Sequence, residues 1–144
     1  MSRLAPPLAA LLLAGIACGD TSAPSLPPGP HMIVRFGYFG DSTGALEFVA
    51  RASRPALLDS VRAELALPVD QRRFPNGPVR VAAKGENLGW QWAFAYDGWH
   101  LTDAAAEACD ATPQYLNDHL AEWIRDLGGY CPWSAFVKDT LRVP

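Results

Sequence analysis

Alternating apolar and polar residues at the start of the folded part predict a β-hairpin. β-Branched and aromatic residues dominate residues Met32 to Phe39 and again Leu46 to Ala52. Between them, residues 40–44 read Gly-Asp-Ser-Thr-Gly, a composition typical of a turn because glycine and short polar side chains tolerate tight backbone conformations. We expect the two runs to pair as neighbouring strands.

The apolar spacing then changes to that of a helix. Ser53 is expected to supply a capping oxygen ahead of Pro55, and Pro68 ends the pattern. Three charged residues lie mostly off the apolar stripe and are expected to form a solvated face: Asp59, Arg62 and Glu64. The stripe itself consists of Leu57, Leu58, Val61 and Leu65.

A second helix is predicted from Thr112, which precedes Pro113, to the pair Gly128-Gly129 that ends it. A single apolar face is expected along its whole length. The residues of that face are Leu116, Leu120, Trp123, Ile124 and Leu127.

Residues 68–78 are predicted to form a constrained loop, because this segment holds three prolines and an Asn-Gly pair. Rigid loops often carry recognition, so Arg72, Arg73 and Phe74 are the candidate binding residues. They suit an acidic partner or the specificity pocket of a trypsin-like protease. The alternative is a connector whose charges only maintain solubility.

Four aromatic rings alternate in the segment Trp90 to Tyr96, where they would share one face of a strand. Burying such rings is worth roughly 2–3 kcal/mol each, before opposing terms, so this strand is expected to be the spine of the core. A carbohydrate-stacking platform would use the same residues. The predicted fold class is α+β, with two helices packed on a small, mostly antiparallel sheet in a single domain, residues 32–144.

The N-terminus has the pattern of an export signal. One positive charge and an apolar run end in small residues before Cys18, and the run is shorter than the roughly 20 residues of a membrane-spanning helix. We expect a signal peptide over residues 1–17, lipidation of Cys18, and a Pro- and Ser-rich tether over residues 18–31. Ordinary cleavage, giving a soluble periplasmic or secreted protein, is the alternative.

Cysteine counting agrees with a lipid anchor. The chain holds only three cysteines, so assigning Cys18 to a thioether leaves Cys109 and Cys131 as an even pair in an oxidising compartment. We predict a disulfide between them. The alternative is a reactive thiol with a nearby histidine.

Composition narrows the class of function. A formal charge of −3, with no basic block among 144 residues, argues against nucleic-acid binding and against a polybasic membrane surface. The sequence lacks a phosphate-binding glycine loop, a nucleophile elbow and a two-residue cysteine spacing. No metal or cofactor is expected, because His31, His100 and His119 do not repeat at ligand spacing.

A carboxylate cluster before the second helix is the remaining candidate for catalysis. Glu107 and Asp110 could act as acid and base in a cleft. The alternative is that they accept hydrogen bonds from backbone donors around the helix start.

Three ordered motifs carry a family resemblance: W-x-W at Trp90 to Trp92, E-x-C-D at Glu107 to Asp110, and C-P-W at Cys131 to Trp133. Over about Ile33 to Val137 the chain resembles the N-terminal domain of the seventy-four-kilodalton calmodulin-binding protein, whose bacterial relatives follow export signals. The resemblance implies a small domain with the cysteine pair bridged and no settled catalytic activity. Many relatives carry histidine after the second tryptophan, where this chain has Ala93.

Together these patterns predict a non-enzymatic binding module of the bacterial cell envelope, anchored through Cys18. Its partner would be a protein or a glycan, with no nucleic acid, and its only contact with the membrane would be the lipid. The alternatives from other classes are a secreted protease inhibitor presenting Arg72 or Arg73, and a small enzyme using Glu107 and Asp110.

Overall fold

The computed structural model of the chain describes residues 31–141. The predicted signal peptide over residues 1–17, the lipidation site Cys18 and the predicted tether up to residue 30 lie outside this range. None of the helices in the described range is long and apolar enough to cross a membrane. The elements follow in this order: β1 (Met32–Tyr38), β2 (Phe48–Ala52), α1 (Pro55–Leu65), β3 (Phe74–Val81), β4 (Trp92–Phe94), β5 (His100–Thr102), α2 (Pro113–Asp118), α3 (Leu120–Asp126), β6 (Gly129–Tyr130) and β7 (Ala135–Leu141).

The predicted hairpin is confirmed and forms half of a first sheet. β1 pairs antiparallel with β2 and, on its other edge, with β7, which gives the order β2-β1-β7. The Asp41 carboxylate organises the turn, because it accepts hydrogen bonds from the backbone N–H groups of Thr43 (2.9 Å), Gly44 (3.1 Å) and Leu46 (2.7 Å). A short polar side chain thus satisfies the donors of the turn, as the composition predicted.

A second antiparallel sheet is built on β3, which changes partner along its length. Residues Phe74–Asn76 pair with β5, Gly77 and Pro78 with β6, and Val79–Val81 with β4. The sequence placed residues 74–78 in a loop, and this was wrong. Prolines cannot donate to a ladder, so they divide the strand between short partners instead of preventing it.

Aromatic rings from both sheets form the core. Phe36 and Phe48 of the first sheet stack at 5.0 Å, and Phe48 meets Trp92 of the second at 5.3 Å. Trp92 in turn lies 5.0 Å from Tyr130. Fold class α+β is confirmed, with three helices and two sheets in the described residues instead of two helices on one sheet.

The segment Trp90 to Tyr96 contributes to this core but is not its spine. Trp92 and Phe94 are buried, while Trp90 and Tyr96 are half-buried. Tyr96 lies under the Arg80 guanidinium, 4.5 Å from the ring centroid. Only three residues of the segment are strand, at an edge of the second sheet, and β3 holds the central place.

Helix α1 begins at Pro55 as predicted, but its cap comes from elsewhere. Ser53 does not offer a cap oxygen; its hydroxyl donates to the Asp97 carboxylate. Asp97 also accepts the backbone N–H groups of Ser53 (2.6 Å) and Arg54 (3.2 Å). An acidic side chain near the positive end of a helix is favourable, so a residue distant in sequence replaces the local cap.

The second predicted helix starts at Thr112 as expected, with the Thr112 hydroxyl accepting the Tyr115 N–H at 3.2 Å, but it breaks into α2 and α3. His119 leaves helical geometry, with φ −118° and ψ 21°. The break rotates the end of the predicted apolar face outward. Leu127 is therefore 47% exposed instead of buried.

Fully buried Asn87 joins β2 to the second sheet. Its side chain accepts the Val49 N–H at 2.7 Å and donates to the Trp92 carbonyl at 2.7 Å. Asn87→Ala should lower the free energy of unfolding by about 2 kcal/mol, because two buried backbone groups lose their partners. Urea unfolding measures this.

Asn117→Ala is the matched control, since Asn117 accepts one hydrogen bond from the Gln91 N–H at an exposed site. It should cost no more than about 0.5 kcal/mol. Equal losses in the two variants would contradict the role given to Asn87.

Candidate functional site

The disulfide predicted from cysteine counting is present and joins the segment before α2 to the segment after β6. Cys109 and Cys131 are bonded, with their Cα atoms 5.2 Å apart. The Cys131 N–H also donates to the Cys109 carbonyl at 2.9 Å. Both ends of the α2 and α3 segment are therefore fixed to each other.

An open groove lies beside this bridge, with a cavity volume of about 570 Å³. Tyr115, Trp123 and Leu127 also line a second depression of about 190 Å³, so the two form one continuous surface. Tyr115 is 52% exposed and Leu127 is 47% exposed. We call this surface the helix groove; its lining residues are Ala108, Asp110, Ala111, Thr112, Tyr115, His119, Glu122, Trp123, Asp126 and Leu127.

Hydrogen bonds from buried rings hold the floor of the helix groove in place. The Trp123 indole donates to the Gly129 carbonyl at 2.8 Å, and the Tyr130 hydroxyl donates to the Ala111 carbonyl at 3.1 Å. Burial raises the pKa of Tyr130 well above its ordinary value, which keeps this hydroxyl a neutral donor. Tyr115 lies against Trp123 with ring centroids 6.1 Å apart.

Carboxylates line both ends of the groove. Asp110 lies at the end beside the disulfide, and Glu122 and Asp126 lie at the other. Residues 103–133 contain six acidic residues and one arginine, a formal charge of −5, whereas the whole chain carries −3. Negative charge is therefore concentrated in the segment that forms this site.

A third depression lies on the other side of Asp110. It has a cavity volume of about 300 Å³ and is lined by Phe74, Asp103, Trp133 and two alanines. Trp133 is 43% exposed, and its N–H donates to the Asp110 carboxylate at 2.9 Å. Exposed aromatic surface therefore continues past the disulfide.

The candidate acid and base are not presented as a pair. Asp110 accepts the Trp133 N–H, which is the backbone-capping role that the sequence analysis weighed against catalysis. Glu107 is exposed in a single 3₁₀ turn, Glu107–Cys109. Among residues 31–141, no group of three or more His, Cys, Asp or Glu side chains is arranged to hold a metal ion.

The arginines of the predicted binding loop are bound within the fold. Arg72 donates to the Leu67 carbonyl at 2.9 Å and to the Val137 carbonyl at 2.7 Å. Arg73 donates to the Glu64 carboxylate at 2.6 Å. These contacts do not favour insertion of either side chain into a protease pocket, because the bonds would have to break first.

Phe74, the third residue of that prediction, is 9% exposed and contacts the Trp133 ring at 6.5 Å between centroids. Binding by Arg72, Arg73 and Phe74 stays a prediction. Of the three, only Phe74 reaches the exposed aromatic surface near the disulfide. Sequence reasoning missed Tyr115, and the signal that could have found it is an aromatic residue one position off the apolar stripe.

Carboxylates held by hydrogen bonds predict a loss of stability in acid. The bond from the Leu46 N–H is the largest of several that lower the pKa of Asp41 from 3.8 to about 2. Burial alone would raise the pKa of Asp97 and of Glu86, but bonds from Ser53 and from Arg80 outweigh it and lower both.

Because these pKa values are lower in the folded state, the unfolded chain binds protons first as the pH falls. The contribution is complete above about pH 4 and disappears as the pH falls towards about 2. Unfolding by urea should therefore become easier across this interval, and Asp41→Asn should reduce the dependence on pH. An unchanged pH dependence in Asp41→Asn would contradict the role of the turn.

Comparison with known proteins gives one match. The sequence model of a family of N-terminal domains, that of the seventy-four-kilodalton calmodulin-binding protein, matches residues 35–144. The resemblance carried by the three motifs is therefore confirmed. No curated protein and no solved structure gives a significant match.

Proposed function

The chain belongs to the family of the N-terminal domain of the seventy-four-kilodalton calmodulin-binding protein. From that premise we propose that it is an exported, lipid-anchored binding module of the bacterial cell envelope, with the helix groove as its binding site. It acts by binding and not by catalysis. The observation that carries this proposal is the exposure of Tyr115 and Leu127, 52% and 47%, in an open groove braced by a disulfide.

Exposed aromatic and aliphatic surface in a concave, rigid site is what binding requires. Large rings supply most of the affinity at protein interfaces, and a rigid site loses little conformational entropy on binding. The Trp123 and Tyr130 hydrogen bonds and the disulfide supply this rigidity. Asp110 contributes to the site by holding the Trp133 backbone.

Export and anchoring rest on the N-terminal pattern and on the disulfide. The bridged Cys109 and Cys131 support an oxidising compartment, since cytoplasmic thiols are kept reduced. Lipidation at Cys18 would hold the domain at a membrane surface, with residues 18–31 as the tether. The groove would then face partners in the envelope.

Site-specific photocrosslinking tests the binding site. A photoreactive benzoyl-phenylalanine replaces Tyr115 in the full chain, which is produced in bacteria with its own leader. We expect a discrete covalent adduct on irradiation. The matched control places the same group at Val81, which is 65% exposed and outside the helix groove. Adducts at both positions, or at neither, would contradict the proposal.

A further inference from the structure

We propose that the helix groove binds an extended polypeptide segment that carries lysine or arginine side chains. This inference rests on the proposed function, because it names the ligand class of the same site. It is drawn from three features of the groove: its exposed ring, its paired ends of negative charge, and its lack of compensating cations.

The charge of the groove is selective in sign. Asp110 lies at one end, and Glu122 and Asp126 lie at the other. Arg125 is the single arginine among residues 103–133, and it donates to the Asp126 carboxylate at 2.7 Å. Glu122 thus has no arginine or lysine bonded to it in the described part of the chain. A cationic ligand would find acceptors at both ends of one depression.

The apolar middle of the groove suits the stem of such side chains. Tyr115, Trp123 and Leu127 are common to both depressions, so they lie between the acidic ends. Lysine and arginine pack their methylene stems on apolar surface and keep the charged group in a polar environment. Cationic groups are also attracted to the face of an aromatic ring.

Other ligand classes fit these residues less well. An ionised carboxylate only accepts hydrogen bonds, whereas a sugar hydroxyl also needs an acceptor for its own donor and donors for its oxygens. An anionic ligand would meet the segment with formal charge −5. A divalent cation would need a cluster of ligands that residues 31–141 do not form.

Short peptides of identical length test the proposal directly. Fluorescently labelled peptides carry lysine, glutamine or glutamate at alternate positions, and binding to the full chain is followed by anisotropy. We expect the lysine peptide to bind, with affinity falling as salt is added, and the other two not to bind. Spermidine serves as the non-peptide cation. If spermidine binds as tightly as the lysine peptide, the assignment to a polypeptide is overturned.

Two variants and one control locate the contact. Glu122→Lys should weaken the lysine peptide about tenfold, because it replaces an attraction with a repulsion. Tyr115→Ala should also weaken it about tenfold by removing the exposed ring. Asp59→Lys makes the same change in net charge on α1, outside the groove, and should alter affinity by less than about twofold. Equal effects of Glu122→Lys and Asp59→Lys would show only a response to net charge and would overturn the assignment to the groove.

The indole resonances give a readout that does not depend on a variant folding. The Trp123 indole N–H lies at the groove floor, bonded to Gly129, while the Trp99 indole N–H is bonded to Arg51 in the core. Titration with the lysine peptide should shift the Trp123 signal and leave that of Trp99 unchanged. No shift at Trp123 overturns the inference.

Failure of this inference is distinguishable from failure of the proposed function. If the photoreactive group at position 115 forms its adduct and the lysine peptide does not bind, the binding site stands and its ligand class is wrong. If neither occurs, both are wrong.

Discussion

Replacing both Cys109 and Cys131 with alanine is expected to lower the free energy of unfolding by about 3 kcal/mol. The bridge closes a loop with a sequence separation of 22 residues, and opening it frees the unfolded chain to adopt more conformations. A domain of this size has a total stability of roughly 5–15 kcal/mol, so the loss is a large share. Urea unfolding, followed by fluorescence and by circular dichroism, measures it.

Reduction provides the control for the cysteine variant. A reductant should lower the stability of the wild type to that of the double variant and leave the double variant unchanged. Below the unfolding transition, the folded variant should still bind at the helix groove, because the bridge acts mainly on the unfolded chain. A double variant within about 0.5 kcal/mol of the wild type would contradict this account.

Arg73→Met is the second substitution expected to have a large effect, also about 3 kcal/mol. The Glu64 side chain is only 2% exposed, and its partner is the Arg73 guanidinium, with 2.6 Å between Nε and Oε1. Removing the guanidinium leaves a buried carboxylate with no opposite charge. Methionine keeps most of the aliphatic bulk, so the loss reports the charge pair. The free energy of unfolding is the measurement.

A second substitution should recover most of that loss. In Glu64→Gln combined with Arg73→Met, the amide oxygen can still accept the Arg73 backbone N–H, which now bonds Oε2 at 2.7 Å. Arg62→Met is the matched control, because the Arg62 and Asp59 side chains are 61% and 74% exposed, and such surface pairs contribute little. If Arg73→Met is as mild as Arg62→Met, the structural role of Arg73 is wrong.

Those parts of the fold that depend on neighbouring residues were predictable from the sequence. The turn at residues 40–44, the start of α1 at Pro55 and the start of α2 after Thr112 follow from turn composition and helix-capping chemistry. Burial of Trp92 and Phe94 follows from their size and alternation. The disulfide follows from counting cysteines.

Features that depend on distant partners could not be predicted. Glu64 was expected to face solvent, yet it is 1% exposed because Arg73 reaches it from the next segment. Asp97 caps α1 from a position 44 residues beyond Ser53. The segment 74–78 is strand because three separate short strands pair with β3 along its length. No local pattern contains these pairings.

The candidate site was predicted only in part, for the same reason. The E-x-C-D and C-P-W motifs do mark it, since Asp110 and Trp133 meet beside the disulfide. Arg72 and Arg73 attracted the binding prediction because charges on a proline-rich loop look free in a sequence. Their acceptors, the Val137 carbonyl and Glu64, become visible only in the fold.

Export of the chain is the central claim, because the anchor, the disulfide and the accessible groove all require it. The mass of the intact protein, produced in bacteria with its own leader and measured without reductant, tests this claim most directly. We predict loss of residues 1–17, an acyl mass on Cys18, and two hydrogens fewer than the reduced chain. A full-length chain that begins at Met1, with every cysteine reduced and unmodified, would contradict the account.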